Sequence, residues 1–227
     1  FDPDANLRAS EPVALGIGSR FTVSLDGRRL GEVALPLPGR HNILNALAAL
    51  AVGLELGVAP EDGARGLANF PGVERRYQTL GNCREIQVVD DYAHHPAELR
   101  ATLEAARSVH PGRIVSVFQP HRYTRTRDCM AEFASAFGAS DVVIISEIYA
   151  AGDSPIPGVS GRVLAEKIVG QGHDDVRFVA DLEQIRTELP GNLEPGDLVL
   201  TLGAGDIAKL GGQILERLAD ESGEADA

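Results

Sequence analysis

Four short segments concentrate the side chains that could do chemistry. The first, DDYAHHP at residues 90–96, sets two carboxylates, a phenol and two imidazoles directly after the run Glu85–Val89. Carboxylate and imidazole are both metal donors, but adjacent His94 and His95 are expected to point in different directions, and no H-x-x-x-H or H-x-E spacing accompanies them. No metal ligand is therefore assigned. Two readings stay open: a loop that binds a ligand through Asp91 and one histidine, or a capped turn before a helix with one histidine in solvent.

The second segment, FQPHRYTRTRD, carries Arg122, Arg125 and Arg127 at the entrance of an expected helix, in a chain whose only lysines are Lys167 and Lys209. The planar guanidinium fork binds carboxylates and phosphates bidentately; the alternative is a solvated arginine face. In the third, GRHNILNALAAL, Asn42 and Asn45 stand three apart and so on one face of a helix. One of them is expected to cap it, and two amides beside His41 are equally suited to reading a base edge. The fourth, GAGDIA after DLVLTL, fits the G-x-G-x-x-A turn of dinucleotide-binding folds. That fingerprint also needs a second strand ending in an acidic residue about 20 positions on, and the chain runs out first. A nicotinamide-dependent oxidoreductase would rest on this turn alone.

These segments need elements to hold them. From Arg84 onward short β-branched runs (REIQVVD, RIVSVFQ, DVVIIS, VRFVA, DLVLTLG) alternate with helical patterns (PAELRATLEAARSVH, RDCMAEFASAFGA, GRVLAEKIVGQ, DLEQIRTEL, DIAKLGGQILERLA). Such alternation implies βαβ units and a mostly parallel sheet, and ligands bind such sheets at the carboxyl ends of the strands. DDYAHHP, QPHRYTRTR, SEIYAAGDSPIPGVSG and GAGD all follow strands directly, so they are expected on one sheet edge. The first forty residues alternate around an Asp26-Gly27 turn, a hairpin signature. HNILNALAALAVGLELGV reads as a buried helix ending at Gly57, and APEDGARGLANF as a second, with Pro60 in its first turn. PGVERRYQTLGN breaks the pattern, and the domain boundary is placed there. The acidic tail ADESGEADA is expected to be disordered.

Composition narrows the function classes. With 227 residues and 44% hydrophobic content the chain can bury a real core. A formal charge of −12 argues against a general grip on nucleic acid or anionic lipid, so any phosphate recognition must be local. No stretch approaches the roughly 18 apolar residues of a membrane helix, and a cytoplasmic location is the default expectation. Cys83 and Cys129 lack partners at metal-ligand spacing and read as reduced thiols. Phe1 opens the chain and Met130 is its only methionine, which suggests a piece of a longer protein.

Taken in order, GRHNILNALAALAVGLELGV, FPGVERRYQTLG, VVDDYAHHPAELRATLEAAR, FQPHRYTRTRD, YAAGDSPIPGVSG and GAGDI resemble the Mur ligases, from about Gly39 to Lys209. The resemblance implies an α/β fold: a carboxyl-terminal Rossmann-like, mostly parallel sheet with flanking helices, preceded by part of a central ATPase domain. Residues 1–73 would end the central ATP-binding domain, and residues 74–227 would form the amino-acid-binding domain. The family's P-loop, its catalytic lysine and its Mg2+ ligands would lie outside this chain, which has no G-x-x-x-x-G-K-[ST].

By the same resemblance, Asn42, Asn45, Arg76 and Asp91 would bind ATP, with Asp91 on the ribose and Arg76 reaching the phosphates. Tyr92, His94, His121, Arg122 and Arg125 would surround the incoming amino acid, with a neutral His94 or His121 assisting proton transfer. The blocks are most like those of the members that join L-alanine to UDP-N-acetylmuramate through an acyl phosphate in peptidoglycan synthesis. The alternatives are the murein tripeptide ligase, whose counterpart of FQPHRYTRTRD differs, and a nucleotide-binding module without ligase activity.

Overall fold

A computed structural model describes residue 2 and residues 4–222, which divide into two compact units: the described residues up to 73 with 104–109, and residues 74–103 with 110–222. In the first unit, β1 (Leu7–Leu15), β2 (Gly18–Leu25) and β3 (Arg28–Leu35) form an antiparallel sheet in that order. Asp26 and Gly27 take φ of 48° and 79° between the paired Leu25 and Arg28, so the expected hairpin closes through a turn with both central residues left-handed. Helix α1 (Arg40–Glu55) buries Ile43, Ala46, Leu47 and Leu50, a spacing that lines one helical face, against Ala9, Phe21, Val23, Val33 and Leu35. Gly57, at φ 82°, follows its end, and α2 (Pro60–Ala68) starts at the proline.

The second unit holds a six-stranded sheet ordered β4 (Gln78–Cys83), β5 (Ile86–Asp91), β9 (Leu198–Leu202), β6 (Ile114–Phe118), β7 (Val142–Ile145), β8 (Val176–Phe178). All neighbours are parallel except β4 and β5. Every residue of β6, β7 and β9 is buried, as expected where helices cover both faces of a parallel sheet. The helices that follow its strands are α3 (Pro96–Val109), of which residues 96–103 belong to this unit and 104–109 to the first, α4 (Tyr123–Asp128), α5 (Met130–Ala134), α6 (Gly161–Gly170), α7 (Leu182–Glu188) and α8 (Leu210–Ser222). Helix α8 sets Leu210, Ile214 and Leu218 against Val88, Val115, Val117 and Val199 of the strands. Elsewhere in this unit Phe118 meets the rings of Phe133 and Phe137 at 5.5 and 5.6 Å between centroids.

Four expectations are corrected. The segment that breaks the helical pattern contains a strand, β4, paired antiparallel to β5 with a register shift between Thr79 and Gly81. The single helix expected over RDCMAEFASAFGA is two, α4 and α5, meeting at Cys129, and α4 begins at Tyr123. Arg125 and Arg127 thus lie inside a helix rather than at its entrance. Neither asparagine caps α1: Gly39 occupies that position, and Asn42 instead donates its side-chain N–H to the Pro38 carbonyl at 2.7 Å. Of the acidic tail, residues 219–222 continue α8, and residues 223–227 lie outside the described residues.

Candidate functional site

Parallel pairing sets Asp91 and Phe118 both opposite Leu202, and Phe118 opposite Ile145, so β5, β9, β6 and β7 end side by side. The segments that follow them therefore emerge together. At the end of β5, the Tyr77 amide donates to Asp91 Oδ2 at 2.8 Å and the Ala93 amide to Oδ1 at 2.7 Å. Asp91 is buried, and burial pushes its carboxyl above the usual carboxylate range, with the two amides and Arg76 opposing and Asp90 adding to the rise. Its neighbour Asp90 accepts from Arg75 Nε at 2.8 Å and from the Thr201 hydroxyl at 2.8 Å.

Glu98, third residue of α3, accepts the amides of His94 and His95 at 3.0 and 3.1 Å, which satisfies donors just ahead of the helix. The same oxygen lies 3.3 Å from His94 Nδ1, which also faces the Tyr92 carbonyl at 3.0 Å. A carbonyl only accepts, so Nδ1 carries the proton and a neutral His94 keeps its lone pair on Nε2. Burial works to raise the Glu98 carboxyl, but the His94 and His95 amides, the His94 ring and Arg76 outweigh it and hold the carboxyl below its ordinary value. The Tyr92 ring meets His94 edge-on at 5.0 Å, with the guanidiniums of Arg75 and Arg76 at 5.1 and 5.7 Å from its centroid. His95 is exposed; its Nδ1 accepts the Ala97 amide at 3.4 Å.

After β6, His121 bridges to Tyr149 in the segment that follows β7, and the two rings stack at 5.5 Å with planes 19° apart. The Arg122 amide donates to the Tyr149 carbonyl and the Tyr149 amide to the Pro120 carbonyl, each at 2.8 Å. Arg125 Nη1 lies 3.3 Å from His121 Nδ1. A guanidinium only donates, so this nitrogen accepts and the proton of a neutral His121 sits on Nε2. Burial, then Arg125, His94 and Arg122, depresses the His121 pKa below 6.5. The rings of His94 and His121 are 6.0 Å apart. Arg122 Nη1 lies 3.6 Å from Asp153, whose carboxyl is held low by the amide and hydroxyl of Thr124 and then by Arg122. Arg127 pairs with Asp128 on an exposed side and does not join this group.

The GAGD turn packs against the same segments. A Cβ on Gly205 would fall 2.5 Å from Gln119 Oε1 and 2.7 Å from Tyr149 Cγ, and one on Gly203 2.8 Å from the Gln119 carbonyl. The glycines thus serve close packing on Gln119 and Tyr149, and Gln119 Oε1 accepts the Ile207 amide at 3.2 Å. Asn42 and Asn45 lie in the other unit, on α1, with Asn45 exposed.

The family model described as Mur ligase, glutamate ligase domain, matches residues 75–205. The chain belongs to the Mur ligase family. Among similar Mur ligases, the UDP-N-acetylmuramate--L-alanine ligase of Oleidesulfovibrio alaskensis is 52% identical over 212 residues, covering 93% of this chain and 46% of that protein. The crystal structure of the UDP-N-acetylmuramate-alanine ligase of Thermotoga maritima superposes with a TM-score of 0.82 at 30% identity, covering 96% of this chain and 47% of that one. A murein peptide ligase from Psychrobacter arcticus shares the fold, with a TM-score of 0.65 at 22% identity over 97% of this chain and 45% of that one. The chain spans about half the length of the curated relatives it matches.

In this Mur ligase chain the cluster at the strand ends also contains residues that the sequence did not single out: Arg75, Glu98, Gln119, Tyr149 and Asp153. Glu98 had a signal, its i+4 spacing from His94 at a helix start. Arg75 and Gln119 had none, because their partners are remote in sequence. Among the described residues no group of three or more His, Cys, Asp or Glu side chains could hold a metal ion. Nor is any helix among the described residues long and apolar enough to cross a membrane.

Proposed function

We propose that this chain is the amino-acid-binding part of a cytoplasmic, ATP-dependent ligase that joins L-alanine to UDP-N-acetylmuramate in peptidoglycan synthesis. The observation that carries the reading is the grouping of Tyr92, His94, His121, Arg122 and Arg125 at the ends of β5 and β6, in a chain 52% identical to a protein of that name. In this reading the muramate carboxylate attacks the γ-phosphate of ATP, releasing ADP and forming an acyl phosphate. The alanine amine then attacks the acyl carbon, the amide bond forms and phosphate leaves. Such chemistry depends on positioning and charge more than on covalent help from the protein.

Each side chain has a distinct task. Arg122 and Arg125 take the alanine carboxylate. The amine must lose a proton to react, and the two imidazoles differ in their fitness for that. His121 keeps its lone pair toward Arg125, whereas His94, with Nδ1 engaged by Tyr92 and Glu98, presents an accepting Nε2. His94 is therefore the proton acceptor. Asn42 and Asn45 contact the adenine region of ATP, Arg76 the phosphates and Asp91 the ribose. With no P-loop in its sequence, the chain alone neither hydrolyses ATP nor ligates.

The test supplies the full-length protein with UDP-N-acetylmuramate, ATP, Mg2+ and either L-alanine or the murein tripeptide, and follows phosphate release. Release with alanine alone supports the reading; release only with the tripeptide replaces it with the recycling ligase. His94→Ala should lower turnover and alter its pH profile, and an unchanged profile would remove His94 from the proton transfer.

A further inference from the structure

Arg75 is held at this sheet edge by both its side chain and its backbone, and nothing in the reaction above uses it. Its Nε donates to Asp90 Oδ2 at 2.8 Å and its Nη2 to the Gly203 carbonyl at 2.6 Å. Its own amide donates to Gln78 Oε1 at 2.8 Å, and its carbonyl accepts the Tyr92 amide at 2.7 Å. The guanidinium also lies 5.1 Å from the centroid of the Tyr92 ring. One residue thus joins β4, the end of β5 and the turn after β9. Its backbone is left-handed, at φ 57°, a conformation that a non-glycine residue holds only where its surroundings over-determine it.

The partner is committed as well. Asp90 is 2% exposed, so its charge is buried and Arg75 supplies the counter-ion. Lysine at this position would keep the charge but not the fork that reaches Asp90 and Gly203 together, nor the flat face presented to Tyr92.

We propose that Arg75 is a positioning residue that fixes the Tyr92 ring, and through it the amino-acid side of the site, without itself touching substrate. This rests on the reading of Tyr92 as an amino-acid contact. In the full-length protein, Arg75→Lys raises the KM for L-alanine about 10-fold and leaves the KM for ATP within about 2-fold, because the lost interaction serves one substrate only. In a Tyr92→Ala background the same change adds less than about 2-fold, since residues acting through one another are not additive. Asp90→Asn, close in volume, moves the alanine KM in the same direction and supplies a second variant if the first fails to fold.

An independent readout does not depend on which substrate is used. Tyr92 is assigned in a ring-labelled NMR spectrum of the full-length protein as the tyrosine signal that a Tyr92→Phe substitution removes. Arg75→Lys shifts that resonance if Arg75 holds the ring. An unmoved Tyr92 signal, equal changes in both KM values, or fully multiplicative effects in the double variant would each overturn the proposal. If the parent enzyme shows no turnover with alanine, the functional reading fails while the NMR result still decides the role of Arg75.

Discussion

The backbone amide of Tyr77 and the Asp91 carboxylate meet at 2.8 Å, fastening the start of β4 to the end of β5 from fourteen residues away. The contact places a buried phenol beside a buried carboxylate. Tyr77 is 8% exposed, and burial, followed by the Asp91 charge, pushes its phenol up to about 12.

Tyr77 should therefore limit stability at alkaline pH. Its folded pKa lies above the unfolded 10.0, so its contribution is complete below pH 10 and is lost as pH rises toward 12. Two units correspond to at most about 3 kcal/mol. Urea unfolding of the parent and of Tyr77→Phe across that window checks it: the parent loses more stability than the variant, and parallel curves would contradict the shift.

His121 should act at the acid end with the opposite sign. A base whose folded pKa is depressed favours the neutral ring, so its contribution is present above pH 6.5 and is lost as pH falls below it. An NMR titration should place the His121 midpoint below that value. His121→Gln should lose less stability than the parent between about pH 7.5 and 5.5.

Gly205→Ala should disturb the turn by sterics alone. The new Cβ would press on Gln119 Oε1 and Tyr149 at 2.5 and 2.7 Å, with no positive φ to add strain. Overpacking of this kind costs about 1–3 kcal/mol. A matching fall in unfolding free energy is expected, and a stability within experimental error of the parent would mean that the turn yields.

Thr201→Val keeps the shape of a fully buried side chain and removes the hydroxyl that donates to Asp90 Oδ1 at 2.8 Å. Leaving that carboxylate oxygen without its donor costs about 1–3 kcal/mol. Denaturant midpoints of the two proteins, compared at unchanged m-value, measure it.

Legibility in the sequence followed physical range. Helices α1, α3, α6 and α8 rest on 3.6-residue periodicity, which is local, and all were read correctly in type. The gathering of DDYAHHP, QPHRYTRTR and GAGD followed from the βαβ rule, because parallel strands must all end on the same side. Strand β4 escaped because QTLGNC has little strand preference of its own, and its pairing with β5 supplies the order. The early start of α4 escaped because it depends on Arg122 at φ 72°, held by the Tyr149 carbonyl.

By itself, then, the sequence determined the α/β architecture, the strand-end location of the polar clusters and the family, since each follows from residue types in order. Only the tertiary structure decided which members of those clusters meet. It set His121 against Tyr149 and Arg125, turned Arg127 outward to Asp128, and joined Arg75 to Asp90 and to Gly203, 128 residues along the chain. Contacts of that separation carry no local pattern: they arise when the last strand, β9, inserts between β5 and β6.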